Sequence, residues 1–169
     1  MNHKDISTIL LIPFLISIVG VAAFLMGYEF PTTWGQSVSM KISTASALCA
    51  LSIASSFKGN ARKHLKVFAI LVMLVGLGGY GVATEETLTV GALVPSLGTI
   101  VSILILATGA ILLSAIPLLI SVFSVVGHAV NESLLFFYVQ GVSTGIALPT
   151  AVCLIFLSIH NLCQSKHRN

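Results

Sequence analysis

The sequence has very few charged side chains. Its 169 residues include eight Lys or Arg and five Asp or Glu, so that 8% are charged and 56% are hydrophobic. A soluble domain of this size carries about a quarter charged residues, and the polar side chains here are too few to cover a globule in water. No charged residue occurs from Thr87 to Asn131 or from Ser133 to Ser165. Because a span needs about 20 apolar residues, we expect an integral membrane protein.

Acidic residues and histidines are also rare inside the apolar runs. All five acidic side chains fall in predicted loops or tails, which argues against a proton- or sodium-coupled carrier. His128 is the one ionisable side chain within an apolar run, and His160 is predicted at the opposite side of the bilayer. Haem binding needs two histidines at the same depth of the bilayer, and the sequence does not offer such a pair. We expect a neutral His128 at the interface. We expect no cofactor and no metal site.

Cysteines and catalytic motifs give no sign of an enzyme. Cys49, Cys153 and Cys163 lack CxxC spacing and are odd in number, which favours buried cysteines acting as small hydrophobes. The chain contains no Walker, dinucleotide-binding, zinc-protease or nucleophile-elbow motif. We expect neither catalysis nor nucleic-acid binding, and we name no catalytic residue.

Hydropathy predicts one membrane domain, 1–169, that is all-α and has six spans. The mean hydropathy is +1.05. The predicted spans are 9–28, 39–57, 65–83, 94–114, 117–130 and 144–162. The first is read as a retained helix rather than a cleaved signal peptide, because it has full span length and lacks a small-residue cleavage site. One helix from Val94 to Val130 would measure roughly 55 Å, so we expect a break at Ser114–Pro117.

The distribution of charge predicts the orientation. Lys58, Arg62, Lys63 and Lys66 crowd the predicted loop between spans two and three, and Lys166 and Arg168 lie near the C-terminus. Positive residues mark the cytoplasmic side, so both termini are predicted to lie inside. Five spans would place the two basic clusters on opposite sides. We therefore predict a multi-pass protein of the cytoplasmic (inner) membrane, N-in and C-in.

The even-numbered spans begin alike and indicate three repeated helical hairpins. Thr44, Thr99 and Thr150 anchor the register, and Leu51–Ser52–Ile53 then matches Leu157–Ser158–Ile159. Capping of the helix N-termini is one explanation for these residues. The other is that three outward-facing N-termini form a shallow pocket for an anionic or hydrogen-bond-accepting ligand. The residues predicted to bind such a ligand are Thr44, Pro95, Thr99, His128, Pro149 and Thr150.

The stretches Met40 to Ser52, Pro95 to Gly109 and Ala147 to Ser158 carry a family resemblance. Together with "RKHLKVFAILVMLVGLGG" (62–79), they resemble the multi-pass N-terminal sensory regions of bacterial sensor histidine kinases and cyclic-dinucleotide enzymes. Those proteins continue into an output domain, whereas this sequence stops at Asn169. The resemblance implies a sensory role whose signal passes to a separate partner.

Three functional hypotheses follow. The first is a stand-alone membrane sensory or signalling subunit that detects an envelope-side or membrane-state cue. It would contact a cytoplasmic or membrane partner, or a second copy, through Lys58, Arg62, Lys63, Lys66, Lys166 and Arg168. The second is an oligomeric pore or membrane-perturbing effector, as in bacterial defence. The third is a structural subunit of a larger membrane complex.

Overall fold

The computed structural model describes residues 3–36, 38–81, 94–110, 112–136, 138–139 and 143–165. Seven α-helices form this part of the chain: α1 (His3–Met26), α2 (Phe30–Thr33), α3 (Ile42–Ser56), α4 (Asn60–Gly79), α5 (Leu97–Thr108), α6 (Ala115–Val130) and α7 (Leu148–Ser165). Two 3-10 turns cover Leu112–Ser114 and Ser133–Phe136. Two residues, Tyr138–Val139, pair antiparallel with Ser143–Thr144. Apart from that short ladder the described fold is helical, and the predicted all-α class is confirmed.

The six longer helices form three sequential pairs: pair 1 is α1 with α3, pair 2 is α4 with α5, and pair 3 is α6 with α7. The second helix of each pair (α3, α5 and α7) contacts the second helices of the other two pairs, so these three make an inner layer. Each first helix packs against its own partner and one further inner helix. Thus α1 also contacts α7, α4 also contacts α3, and α6 also contacts α5. The pairs follow one another in a cyclic order.

The inner helices share one buried face in the register predicted from the threonines. Thr44, Thr99 and Thr150 are each the third residue of their helix, and each is 2% exposed. Four residues later, at the same face, Leu48, Ile103 and Leu154 are each 0% exposed. Seven residues after the threonines, Leu51, Leu106 and Leu157 are each 3% exposed. Equivalent positions in the three helices therefore build the hydrophobic core in successive layers.

The break between the fourth and fifth predicted spans lies earlier than the proline suggests. Helix α5 ends at Thr108, where Gly109 adopts a left-handed conformation (φ 73°) and donates its N–H to the carbonyl of Leu106. Pro117 is the third residue of α6, where its missing N–H removes no helical hydrogen bond. Glycine, rather than proline, ends the helix.

Pairs 1 and 3 resemble each other beyond the inner helices. "IPFLIS" (12–17) in α1 corresponds to "IPLLIS" (116–121) in α6, and in both the serine hydroxyl donates to the proline carbonyl at 2.6 Å. Both helices end in a left-handed residue, Gly27 (φ 72°) and Asn131 (φ 59°). The N–H groups of Tyr28 and Glu132 then donate to carbonyls five residues back, each at 2.9 Å. The two pairs have the same local design.

Much of the outer surface is apolar. Among the described residues, one helical segment, Ile9–Met26, is long and apolar enough to cross a membrane by length and composition. Four apolar helices of 10–17 residues accompany it: Ile42–Ser56, Leu97–Thr108, Ala115–Val130 and Leu148–Gln164. Helices α4 and α6 also expose large apolar side chains, among them Leu71, Val75, Leu119 and Phe123.

Candidate functional site

The residues predicted to form an outward pocket are buried. Thr44, Thr99 and Thr150 belong to the first layer of the inner core, and Pro95 and Pro149 are also fully buried. Helices α3, α5 and α7 contact one another, and the threonines occupy equivalent positions at their starts. Their side chains, however, form packed protein interior rather than the lining of an open cleft.

Capping accounts for the residues at the start of α5. Ser96 is the N-cap; its hydroxyl oxygen accepts a hydrogen bond from the Thr99 N–H at 3.2 Å and lies 2.8 Å from the Thr99 hydroxyl. The carbonyl of Pro95 accepts the hydroxyl proton of Tyr80 at 2.7 Å. These polar groups of the helix start thus have partners within the chain.

His128 is held by the segment that follows its own helix. Its Nε2 lies 2.7 Å from the carbonyl oxygen of Ile146, and its ring stacks on Phe136 with centroids 4.4 Å apart. The N–H of Ile146 donates to the carbonyl of Phe136 at 2.7 Å, which fixes the same segment. The side chain is 8% exposed, so its polar and aromatic contacts are intramolecular.

An open cleft lies at the corresponding end of pair 1. We call it the α1–α2 cleft; its volume is about 380 Å³, within the range of about 300–1,000 Å³ typical of small-molecule sites. The end of α1, the short helix α2 and the segment before α3 form its walls. The lining residues are Ala23, Phe24, Gly27, Tyr28, Glu29, Thr32, Thr33, Ser39, Met40 and Lys41.

The α1–α2 cleft contains one cationic and one anionic residue. Lys41 is half-buried at the N-cap of α3. Glu29 is exposed, and its carbonyl accepts the Thr32 hydroxyl at 2.7 Å. The positive side chain of Lys41 and the partial positive charge at the nearby N-terminus of α3 both favour an anionic group in the cleft. The cleft therefore suits a small ligand with an anionic group.

Pair 3 shows why this cleft is open. The N–H of Met40 donates to the carbonyl of Thr32 at 2.8 Å, as the N–H of Ile146 does to that of Phe136. Thr32 in pair 1 therefore occupies the position of Phe136 in pair 3, where the aromatic ring covers His128. Sequence reasoning missed this site, but the "IPFLIS" and "IPLLIS" repeat would have aligned the two pairs and revealed the Phe-to-Thr difference.

The residues predicted to bind a partner differ in their position in the fold and in their exposure. Arg62, Lys63 and Lys66 lie in the first two turns of α4 rather than in a loop, since that helix begins at Asn60. The Lys66 ammonium lies so close to Gly109 that a Cβ atom there would be 2.8 Å from Nζ. Cations are favourable beside a helix C-terminus, so Lys66 helps to join α4 to α5. Lys58 and Lys63 are exposed and Arg62 is half-buried.

Three predictions fall partly or wholly outside the described residues. Lys166 and Arg168 lie there, as do the last two residues of the predicted third span, 65–83. Ile111, within the predicted fourth span, lies there too.

Comparisons with known proteins do not assign the chain to a family. Neither a protein-family model, nor a curated protein, nor a solved structure matches the chain. In the part of the chain that the structure describes, no group of three or more His, Cys, Asp or Glu side chains could hold a metal ion.

Proposed function

We propose that the chain is a six-span membrane protein with both termini in the cytoplasm. The apolar outer faces of α1, α4 and α6 support this, because a water-soluble protein rarely exposes so continuous an apolar surface. The inner helices are short; α5, with 12 residues, measures about 18 Å. Lipid tolerates non-helical backbone only where protein buries it. Val94, Pro95 and Ser96, which precede α5, are all buried, so they can extend this span inside the bundle.

We propose further that the protein is a sensory or signalling subunit that detects an envelope-side cue. The observation that carries this proposal is the α1–α2 cleft, which Thr32 leaves open where Phe136 fills the equivalent place in pair 3. In the N-in orientation the cleft faces the envelope side. The cue would be a small molecule with an anionic group that binds beside Lys41.

The packing of pair 1 supports a route from the cleft to the opposite membrane surface. A ligand in the cleft would touch both the end of α1 and the start of α3. Helix α3 runs from there to Ser56, and its C-cap, Phe57, is followed by the exposed Lys58. A change in the angle between α1 and α3 would therefore move the basic end of α3 and the start of α4. A partner protein bound to Lys58 and Lys63 would sense that movement.

The single tryptophan offers a direct test of cue binding. Trp34 is the C-cap of α2 and directly follows Thr33 of the cleft. The purified chain in lipid nanodiscs is titrated with inorganic phosphate and with short-chain carboxylates while Trp34 fluorescence is recorded. We expect a saturable change that Lys41→Met removes and that the matched change Lys58→Met, at the other end of α3, leaves intact. A response that is equal in both variants would refute binding at the cleft.

Signal output requires a second experiment. Membranes are extracted in mild detergent, and proteins that co-purify with the wild-type chain are compared with those that follow a Lys58→Gln/Lys63→Gln variant. Lys66 is left unchanged because of its position beside Gly109. Loss of the same partner from the double variant, but not from Lys41→Met, supports the signalling role. If no protein ever follows the wild-type chain, the role fails.

A pore within one copy is disfavoured by the inner layer. Leu48, Ile103 and Leu154 are completely buried on the three inner helices, as expected of a packed apolar core. A pore would therefore have to form between copies. Conductance from well-folded oligomers in a planar bilayer would favour the pore over the sensory subunit.

A further inference from the structure

A second recess lies between α3 and α4. Its volume is about 500 Å³. We call it the α3–α4 groove; it is lined by Ile42, Ser43, Ser46, Phe68, Leu71, Val72 and Val75. Apart from two serines, every lining residue is apolar. The groove lies in the outer half of the proposed span, since its three α3 residues, Ile42, Ser43 and Ser46, all fall within the first five residues of that helix.

Ser43 distinguishes this groove from an ordinary apolar surface. Its side chain is 6% exposed, and its hydroxyl oxygen has no hydrogen-bond partner. Two later serines of α3, Ser52 and Ser55, donate to the carbonyl four residues back, each at 2.8 Å. Ser43 is the second residue of the helix, so the residue four positions back is not helical. Buried hydroxyls nearly always have a partner. Ser102, Thr144 and Ser158 also lack one, but of these four residues only Ser43 lines the groove, where a group from outside the chain can supply the partner.

We propose that the α3–α4 groove binds the acyl chain of a membrane glycerolipid, with the Ser43 hydroxyl donating to its ester carbonyl. This inference rests on the proposed membrane location. Ser43 lies two residues from Lys41, at the outer end of α3, which is the level at which a lipid changes from ester groups to hydrocarbon. From there the acyl chain of the lipid runs along Leu71 and Val75 of α4 towards Phe68.

The walls of the groove favour a lipid chain over another helix. Helices in membranes associate closely through small residues, which allow their backbones to approach. The α4 wall consists of Phe68, Leu71, Val72 and Val75, which are all bulky. They would hold a second backbone away from Ser43, whereas a flexible chain can lie between them. At the positions equivalent to Ser43, the other inner helices carry Gly98 and Pro149, which have no hydroxyl.

Photo-crosslinking tests the proposal. The full chain is reconstituted in phosphatidylcholine nanodiscs with a small fraction of lipid that carries a diazirine on one acyl chain, and adducts are mapped by mass spectrometry. Labelling of Leu119 and Phe123 on the exposed face of α6 reports contact with bulk lipid. We expect adducts on Phe68–Val75 to exceed that reference.

The decisive comparison is between serine variants. Ser43→Ala should reduce the ratio of α4 to α6 adducts about fivefold, the effect of one net hydrogen bond. Ser43→Thr keeps the hydroxyl and should retain the ratio. Ser102→Ala is the matched control, because Ser102 is also buried and unpartnered but lies outside the groove. Thermal unfolding of each variant shows whether it folds.

Three outcomes would overturn the inference. They are an unchanged ratio in Ser43→Ala, an equal fall in Ser102→Ala, or adducts excluded from Phe68–Val75 because a second copy covers the groove. Extraction with alkaline carbonate separates this failure from failure of the proposed membrane location. If the protein resists extraction but α4 and α6 are labelled equally, only lipid binding in the groove is refuted. If carbonate releases the protein, the membrane location itself is refuted.

Discussion

Substitution of Gly127 by alanine should destabilise the fold measurably. A Cβ atom at this position would lie 2.6 Å from Leu135 Cβ, 3.0 Å from the Phe136 nitrogen and 3.1 Å from the Glu132 oxygen. None of these atoms can move by rotation of a flexible side chain. Overpacking costs about 1–3 kcal/mol, and we take the upper end here. Helix propensity favours alanine over glycine by about 1 kcal/mol, which leaves a net loss of about 2 kcal/mol.

Alanine substitutions at two other glycines serve as controls, because neither is expected to destabilise the fold. Nothing lies within 4 Å of a Cβ atom on Gly78, so Gly78→Ala should stabilise α4 by up to about 1 kcal/mol. A Cβ atom on Gly20 would lie 3.1 Å from the Met40 sulfur, which can move, so Gly20→Ala should be nearly neutral.

Thermal unfolding in detergent, followed by circular dichroism, distinguishes the three variants. For a chain of this length, 1 kcal/mol corresponds to roughly 2–4 °C in Tm. Gly127→Ala should therefore lower Tm by roughly 4–8 °C, while Gly78→Ala should raise it slightly. A Tm for Gly127→Ala at or above the wild-type value would refute the close packing of the segment after α6.

Two further changes are expected to have measurable effects. His128→Leu removes the contact with the Ile146 carbonyl and should lower the free energy of unfolding, measured by chemical denaturation, by about 1–3 kcal/mol. A change no larger than that of an exposed control such as Val130→Ala would contradict this expectation. Lys66→Met removes a cation from the C-terminus of α5 and should lower stability by about 0.3–1 kcal/mol, less at high salt; no salt dependence would contradict the electrostatic origin.

The sequence was most informative where a repeated pattern met a simple packing rule. The register set by Thr44, Thr99 and Thr150 predicts equivalent helix positions, and the structure places each as the third residue of an inner helix. Hydropathy alone does not show that these threonines are buried, because an interfacial cap and a core residue have the same composition. Their burial follows from contacts among three helices that are distant in sequence.

Other features depended on local geometry that composition does not encode. The charge of Arg62 and Lys63 suggests a loop, but neither residue is a poor helix former, and α4 begins before them. Pro117 marks a boundary approximately, whereas the left-handed Gly109 fixes the end of α5. The α1–α2 cleft could not be found from charge or hydropathy, since it arises where Thr32 is smaller than its counterpart Phe136.

The contact between α1 and α7 closes the ring of helix pairs, so packing does not dictate which pair comes first in the chain. Pro13 and Ser17 of α1 approach Cys153 of α7, with sulfur 3.8 Å from the Pro13 carbonyl oxygen and 3.9 Å from the Ser17 hydroxyl. A circular permutant that links the two termini and opens between Lys58 and Gly59 would begin with pair 2 and keep every interhelical contact. We expect it to fold with near-native Tm, whereas an opening within α5 should prevent folding. Gene rearrangement could thus reorder the pairs without altering the fold.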